Sequence, residues 1–215
     1  MLNPTSLLAD ALGRNLAETY RRIYSDQEPQ IAAGLDEAAR LVIERIASSD
    51  ALYHDCEHTA LVTLCVQDIL RGRRLERIVT PIDWGHTMLA ALTHDIGYVR
   101  GICAGDTAEH FVIDAAGNTV TPPRGASDAF LMPYHVERGK IMVRERFASV
   151  PFIDEERLAA AIAHALPGTG RRGPRCYRHR SGASQGRRSH RSIGRSRLPA
   201  QAERALPGIR RNRRS

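Results

Sequence analysis

The segment Tyr53-His54-Asp55-Cys56-Glu57-His58 places two imidazoles four residues apart. About 36 residues later, Thr93-His94-Asp95-Ile96-Gly97 adds an adjacent histidine and aspartate. Imidazole nitrogens and a carboxylate oxygen are the donors that first-row divalent ions and zinc accept. A set this small leaves coordination positions open for water and a phosphate oxygen. An ion held there would lower the pKa of its bound water and neutralise charge on a phosphoryl group. On a helix, His54 and His58 share one face. His94 and Asp95 diverge by ~100° while a helix continues, and converge on one point only if it ends there.

The elements that must carry these residues read mainly as helices. Leu7, Leu8, Leu12, Leu16, Tyr20 and Ile23 recur at spacings of three or four, as one helix face requires. A second helix is expected from about Gln30 to Ser48. A third is expected from Cys56 to Leu70, with Leu61, Leu64, Cys65, Ile69 and Leu70 turned inward. Thr80-Pro81 marks the start of a fourth, because proline suits the first helical position. Gly97 is its expected stop. Residues 101–129 are richer in Gly, Pro, Thr and Asp. There, Phe111-Val112-Ile113 and Thr119-Val120-Thr121 flank Ala-Ala-Gly-Asn as a small hairpin would. Helices resume with Ala129–Phe147 and Phe152–Leu166, and Asp154 is the expected N-cap of the last.

Composition sets the frame. At 215 residues the chain can bury one good core or two small ones. No run approaches the ~18 apolar residues of a membrane span, and the N-terminus lacks the features of a secretory signal. A cytoplasmic enzyme that does not engage membranes is therefore expected. Cys56, Cys65, Cys103 and Cys176 form no C-x-x-C pair, which fits reduced structural thiols better than a zinc ribbon or redox pair. The formal charge of +7 conceals two opposite parts. Residues 1–170 hold 16 Lys and Arg against 23 Asp and Glu, a net of −7. Residues 171–215 hold 15 Arg and one acid, Glu203, a net of +14. The domain reading is a helical body over 1–166 and an Arg-rich tail over 167–215.

Tyr53-His54-Asp55-Cys56-Glu57-His58 followed by Leu92-Thr93-His94-Asp95-Ile96-Gly97 resembles the H…HD pattern of HD-superfamily metal-dependent phosphohydrolases. The first part also resembles the Y-H-N-x-x-H element of cyclic-nucleotide phosphodiesterases, with Asp55 in place of Asn. The resemblance spans roughly residues 35–166. It implies an all-α, HD-domain-like bundle of about six helices with a small loop or hairpin insertion at about 101–129. It further implies hydrolysis of a small phosphorylated substrate, a nucleotide or related phosphoester, by metal-activated water. His58, His94 and Asp95 would be metal ligands, and His54 the histidine that protonates the leaving oxygen. His135 and His164 match histidines that bind the second ion in two-metal members such as the HD-GYP group. The cofactor would be one or two divalent ions drawn from Mn, Fe, Ni, Mg or Zn. Lys140 and Arg144, on the helix after His135, could reach a substrate phosphate. His86 and His110 carry no motif and are expected to be structural and loop residues.

Members of that superfamily close the first metal site with an Asp on a later helix. This chain has no Asp after Asp154. The segment from about 167 is rich in Arg, Pro, Ser, Gly and Ala and has no apolar periodicity, as out-of-frame translation of a GC-rich gene would produce. We expect a frameshifted tail. Two alternatives stand beside the enzyme: a catalytically impaired HD module that binds a nucleotide or partner, and a protein that binds nucleic acid through its fifteen tail arginines.

Overall fold

The computed structural model describes residues 3–165, with side chains through residue 163. The side chain of His164 and the Arg-rich tail, with every expectation placed on them, lie outside the described residues. Among the described residues the fold is mostly helical, with six α-helices and one two-stranded sheet. No helix among them is long and apolar enough to cross a membrane.

Helix α1 (Pro4–Tyr24) starts at Asn3, whose side chain accepts the Thr5 amide hydrogen. It packs most extensively on α2 (Pro29–Ile46). Leu12, Leu16 and Tyr20 meet Ile31, Leu35, Val42 and Ile43 in a fully enclosed core. Helix α3 spans Cys56–Glu76, and α4 spans Pro81–Thr93. In α4, Thr80 and Asp83 form a reciprocal capping box with Pro81 at the first position. Trp84, Met88 and Leu92 then carry the core through the molecule. Helices α5 (His135–Phe147) and α6 (Glu155–Ala165) close the bundle through Val143, Leu158 and Ile162. Asp154 caps α6 as expected, its carboxylate accepting the Arg157 amide hydrogen at 2.9 Å.

Four local readings need correction. The third helix buries Thr59, Ala60, Thr63, Gln67 and Leu70, while Leu61 and Ile69 are 60% and 56% exposed and Cys65 is also exposed. Of the expected inward set, Leu70 is buried and Leu64 packs partly buried on the core, but Leu61, Cys65 and Ile69 yield their places to threonines whose hydroxyls are satisfied within the helix. Thr59 donates to the Asp55 carbonyl at 3.0 Å and Thr63 to the Thr59 carbonyl at 2.7 Å, so both can be buried. Gln67 is held by Asn15 at 2.9 Å. Second, His54 does not share a helix face with His58, since the helix begins at Cys56, as expected. It meets His58 because the chain turns at the Asp55 cap. Third, α4 ends at Thr93, before Gly97, and a 3-10 turn follows over Ile96–Tyr98. Fourth, the expected helix from Ala129 is broken into a 3-10 turn (Asp128–Leu131) and α5. Pro133 has no amide hydrogen to donate, so the ladder of helical hydrogen bonds is interrupted there although Met132 itself keeps helical backbone angles.

The segment 101–129 holds strands β1 (Phe111–Val112) and β2 (Thr119–Val120), paired antiparallel with Phe111 opposite Val120. The hairpin is fastened to the bundle by Arg138 of α5, which is fully buried. Its guanidinium donates to the carbonyls of Gly97, Val99 and Val112 at 2.8, 2.9 and 2.6 Å. It also forms a two-point pair with Asp106 at 3.0 and 2.8 Å. One side chain thus ties α5, the turn after Asp95 and the hairpin together.

Candidate metal centre

Three imidazoles surround one oxygen. Asp95 Oδ2 lies 2.7 Å from His54 Nδ1, 2.9 Å from His94 Nε2 and 3.3 Å from His58 Nε2. The Asp95 side chain is only 2% exposed, whereas His54 and His58 are about a quarter exposed, at 26% and 23%. The site is therefore a buried carboxylate beneath an accessible rim of imidazoles.

Local backbone explains the convergence. Asp55 is the N-cap of α3, its carboxylate accepting the His58 amide hydrogen at 2.8 Å. This cap sets His58 in the first turn and leaves His54 just outside it, with ring centroids 5.6 Å apart. His94 ends α4 and Asp95 leaves the helical region at φ −108°, ψ 5°, a conformation common at active sites. That change swings the carboxylate toward the histidines instead of continuing around the helix.

Gly97 is required by close approach. A Cβ there would fall 1.9 Å from the His135 carbonyl oxygen and 2.9 Å from the Gly139 nitrogen. The glycine lets α5 pack directly on the turn that follows Asp95, which brings His135 to the site. His54, Tyr98 and His135 form a continuous stack, with centroids 4.1 Å and 4.5 Å apart and ring planes 16° and 22° from parallel. Tyr53, 71% exposed, lies edge-on to His54 and tilted over His58. Tyr98 and Tyr53 are the site residues that motif reasoning passed over. Tyr98 follows Asp95 by one 3-10 turn, and Tyr53 directly precedes His54.

Hydrogen bonds decide which nitrogen faces the site. His94 Nδ1 is 2.8 Å from the Ala91 carbonyl, which can only accept, so Nδ1 carries the proton. In the neutral ring the Nε2 lone pair then points at Asp95 Oδ2 and, 3.4 Å away, at His58 Nε2. Acceptors facing one another at these distances need a proton or a cation between them. Burial depresses the His94 pKa, but the Asp95 hydrogen bond and charge outweigh it, leaving the pKa above its ordinary value. Burial pushes the Asp95 carboxyl upward, yet hydrogen bonds from His94 and His54 bring it down to about 2. Without an ion, His94 thus keeps its second proton to higher pH than an ordinary imidazole, held by an ionised Asp95.

His135 differs. Burial lowers its pKa, and its Nδ1 donates to the Met132 carbonyl at 2.5 Å. It is a neutral imidazole with Nε2 free. Burial, and next the Asp95 charge, raise the Tyr98 phenol to about 12, so it stays protonated.

Donor atoms of His54, His58 and Asp95 lie within 4.8 Å of one another, a span one ion could bridge. His94 belongs with them on the distances above. His135 is set off by the interposed Tyr98. Lys140 pairs with Glu137 at 2.8 and 2.9 Å, and Arg144 with Glu156 at 2.6 and 2.8 Å. These contacts hold the two cations with carboxylates and not with the histidine cluster. His86 is structural: its Nδ1 donates to the Ile82 carbonyl at 2.8 Å and its Nε2 accepts the Asp154 amide hydrogen at 2.9 Å. His110 is exposed on the insertion and meets Thr121 at 2.8 Å. Cys56, Cys65 and Cys103 are free thiols, and burial drives Cys103 up to about 12, leaving it unreactive.

No curated protein and no solved structure matches the chain. A family model described as Npun_R2479-like matches residues 2–167, so the chain belongs to the Npun_R2479-like family.

Proposed function

We propose that this protein is a metal-dependent phosphohydrolase built on an HD-like helical bundle, acting on a phosphate ester such as a nucleotide. The observation that carries the reading is the fixed His94 tautomer, which aims an Nε2 lone pair at Asp95 Oδ2 2.9 Å away. Backbone geometry holds these two acceptors where either a proton or a metal ion must lie between them. His58 Nε2 and the buried carboxylate complete a two-His, one-carboxylate set, which suits Mn, Fe, Ni or Zn and, through its oxygen, Mg.

The donor set fits a divalent ion, and such an ion would supply an activated water and neutralise phosphoryl charge. The chain's own residues do the rest. His54 donates Nδ1–H to Asp95 at 2.7 Å, which fixes its ring and directs Nε2 outward. When the ring is the imidazolium, Nε2 also carries a proton, and that N–H is the group we assign to protonate the leaving oxygen, leaving the ring neutral with its Nδ1–H still on Asp95. Tyr98 stacks under the ring and prevents it from tilting. Neutral His135, with Nε2 free, is the candidate ligand for a second ion. The phosphate charge is met at the metal, because Lys140 and Arg144 are engaged by Glu137 and Glu156.

Metal analysis of the purified protein, joined to a phosphoester and nucleotide screen with Mn²⁺, Mg²⁺, Ni²⁺ and Fe²⁺, tests the proposal. Turnover that is lost in His58→Ala and falls in His54→Gln without loss of metal supports it. Metal retention with no turnover of any phosphoester would reduce the protein to a binding module.

A further inference from the structure

We propose that the concavity between the C-terminal end of α3, the first turn of α4 and the start of α6 binds a small phosphate-bearing anion. It encloses about 320 Å³ and is walled by Arg73, Arg77 and Arg157, with Asp83 among them. Leu70 and Val79 are its buried apolar floor. The volume lies at the lower end of the range of small-ligand pockets, ~300–1,000 Å³.

The setting is unusual for this chain. Residues 1–170 carry a net −7, yet four arginines fall within residues 71–77. Two have other partners: Arg71 bonds Asp68 at 3.0 Å, and the Arg74 guanidinium lies 4.9 Å above the Tyr24 ring. Arg73 and Arg77 have no carboxylate partner among the described residues. Arg73 sits in the last turn of α3, where a cation suits the helix dipole. The dipole does not account for Arg157, which reaches the same concavity from α6.

Asp83 does not cancel this charge. Its oxygens accept from Arg157 at 2.5 Å and from the Thr80 amide at 3.3 Å, so it is held by the α4 capping box and by one arm of Arg157. The Arg157 bond, followed by those from Thr80, keeps the carboxyl below its usual range. Three cations and one anion leave the walls at +2. A dianion matches that balance, and guanidinium forks match phosphate oxygens in geometry as well as charge. Arg73 lies fifteen residues beyond His58 on α3, about 22 Å along the axis at ~1.5 Å per residue. The site is therefore separate from the histidine cluster and does not depend on the function proposed for it.

Arginine footprinting on the full chain tests the proposal, with phenylglyoxal as reagent, inorganic pyrophosphate as probe and ionic strength held constant. Peptide mapping then reads each arginine separately. Arg73, Arg77 and Arg157 are expected to be protected saturably, with Arg21, Arg22 and the tail arginines unprotected as internal references. In the Arg73→Gln/Arg77→Gln variant, the midpoint for protecting Arg157 should weaken by about tenfold or more. Protection spread evenly over all arginines, or no protection at all, overturns the proposal. So does Arg157 protection that is unchanged in the variant.

Discussion

His94 Nε2 lies 2.9 Å from Asp95 Oδ2, while the Ala91 carbonyl holds the proton on the other ring nitrogen. These neighbours in sequence meet because α4 stops at Thr93. Their contact makes the centre a competition between a proton and a metal ion.

That competition sets a pH dependence. The His94 pKa is raised on folding, so its contribution to metal-free stability is complete below about 6.5 and is lost as pH rises through the folded value. Asp95 is lowered to about 2, so its contribution is present above its ordinary value of 3.8 and disappears as pH falls toward 2. Metal-free protein should be most stable between these limits. Metal affinity should instead increase with pH, because binding displaces the His94 proton. Unfolding measured from about pH 2 to pH 8 and metal titrations from about pH 5 to pH 8 check both signs.

Asp55→Ala removes the cap that seats His58. We expect about 1 kcal/mol of lost stability together with weaker metal binding. Asp55→Asn should restore most of both, since an amide oxygen can accept the same hydrogen bond. Urea unfolding and metal titration of the pair separate cap from charge.

Gly97→Ala drives a methyl into the His135 carbonyl, a backbone atom that cannot swing aside. A destabilisation of about 1–3 kcal/mol is expected. The displaced α5 should also separate Tyr98 from His135. Chemical denaturation reads the first effect and a crystal structure of the variant the second.

Arg138→Met leaves Asp106 buried without its partner. The expected loss is about 3–5 kcal/mol. Arg138→Met with Asp106→Leu should lose less than the sum of the single variants, because the two groups interact directly. A double-mutant cycle by urea unfolding measures the coupling.

Much of this arrangement was legible because the helix boundaries have local causes. Thr80-Pro81 announces α4, and Asp154 announces α6, since caps are read from a few residues. The H…HD pattern pointed to a cluster of His58, His94 and Asp95 for the same reason: cap and helix end determine where those side chains go. The buried face of α3 was legible only in part, because back-bonded threonines bury as readily as leucines there. The His54–Tyr98–His135 stack depends on α5 crossing Gly97, a contact between segments distant in sequence that no local pattern encodes. Glu137 pairs with Lys140 three residues along the same helix, a local spacing, whereas Glu156 meets Arg144 only because α6 packs on α5, which no local pattern encodes. His164 has no described side chain against which to set its expected role.

The most direct measurement is the metal content of the purified wild-type chain beside that of Asp95→Asn, after both are incubated with Mn²⁺, Fe²⁺, Ni²⁺ or Zn²⁺ and desalted. Asn keeps the shape but removes the charge that three imidazoles surround. We expect the wild type to retain at least one ion per chain, and Asp95→Asn to remain folded and retain none. Wild-type protein that retains no ion under any of these conditions, or Asp95→Asn that retains as much as wild type, would contradict a metal centre at Asp95.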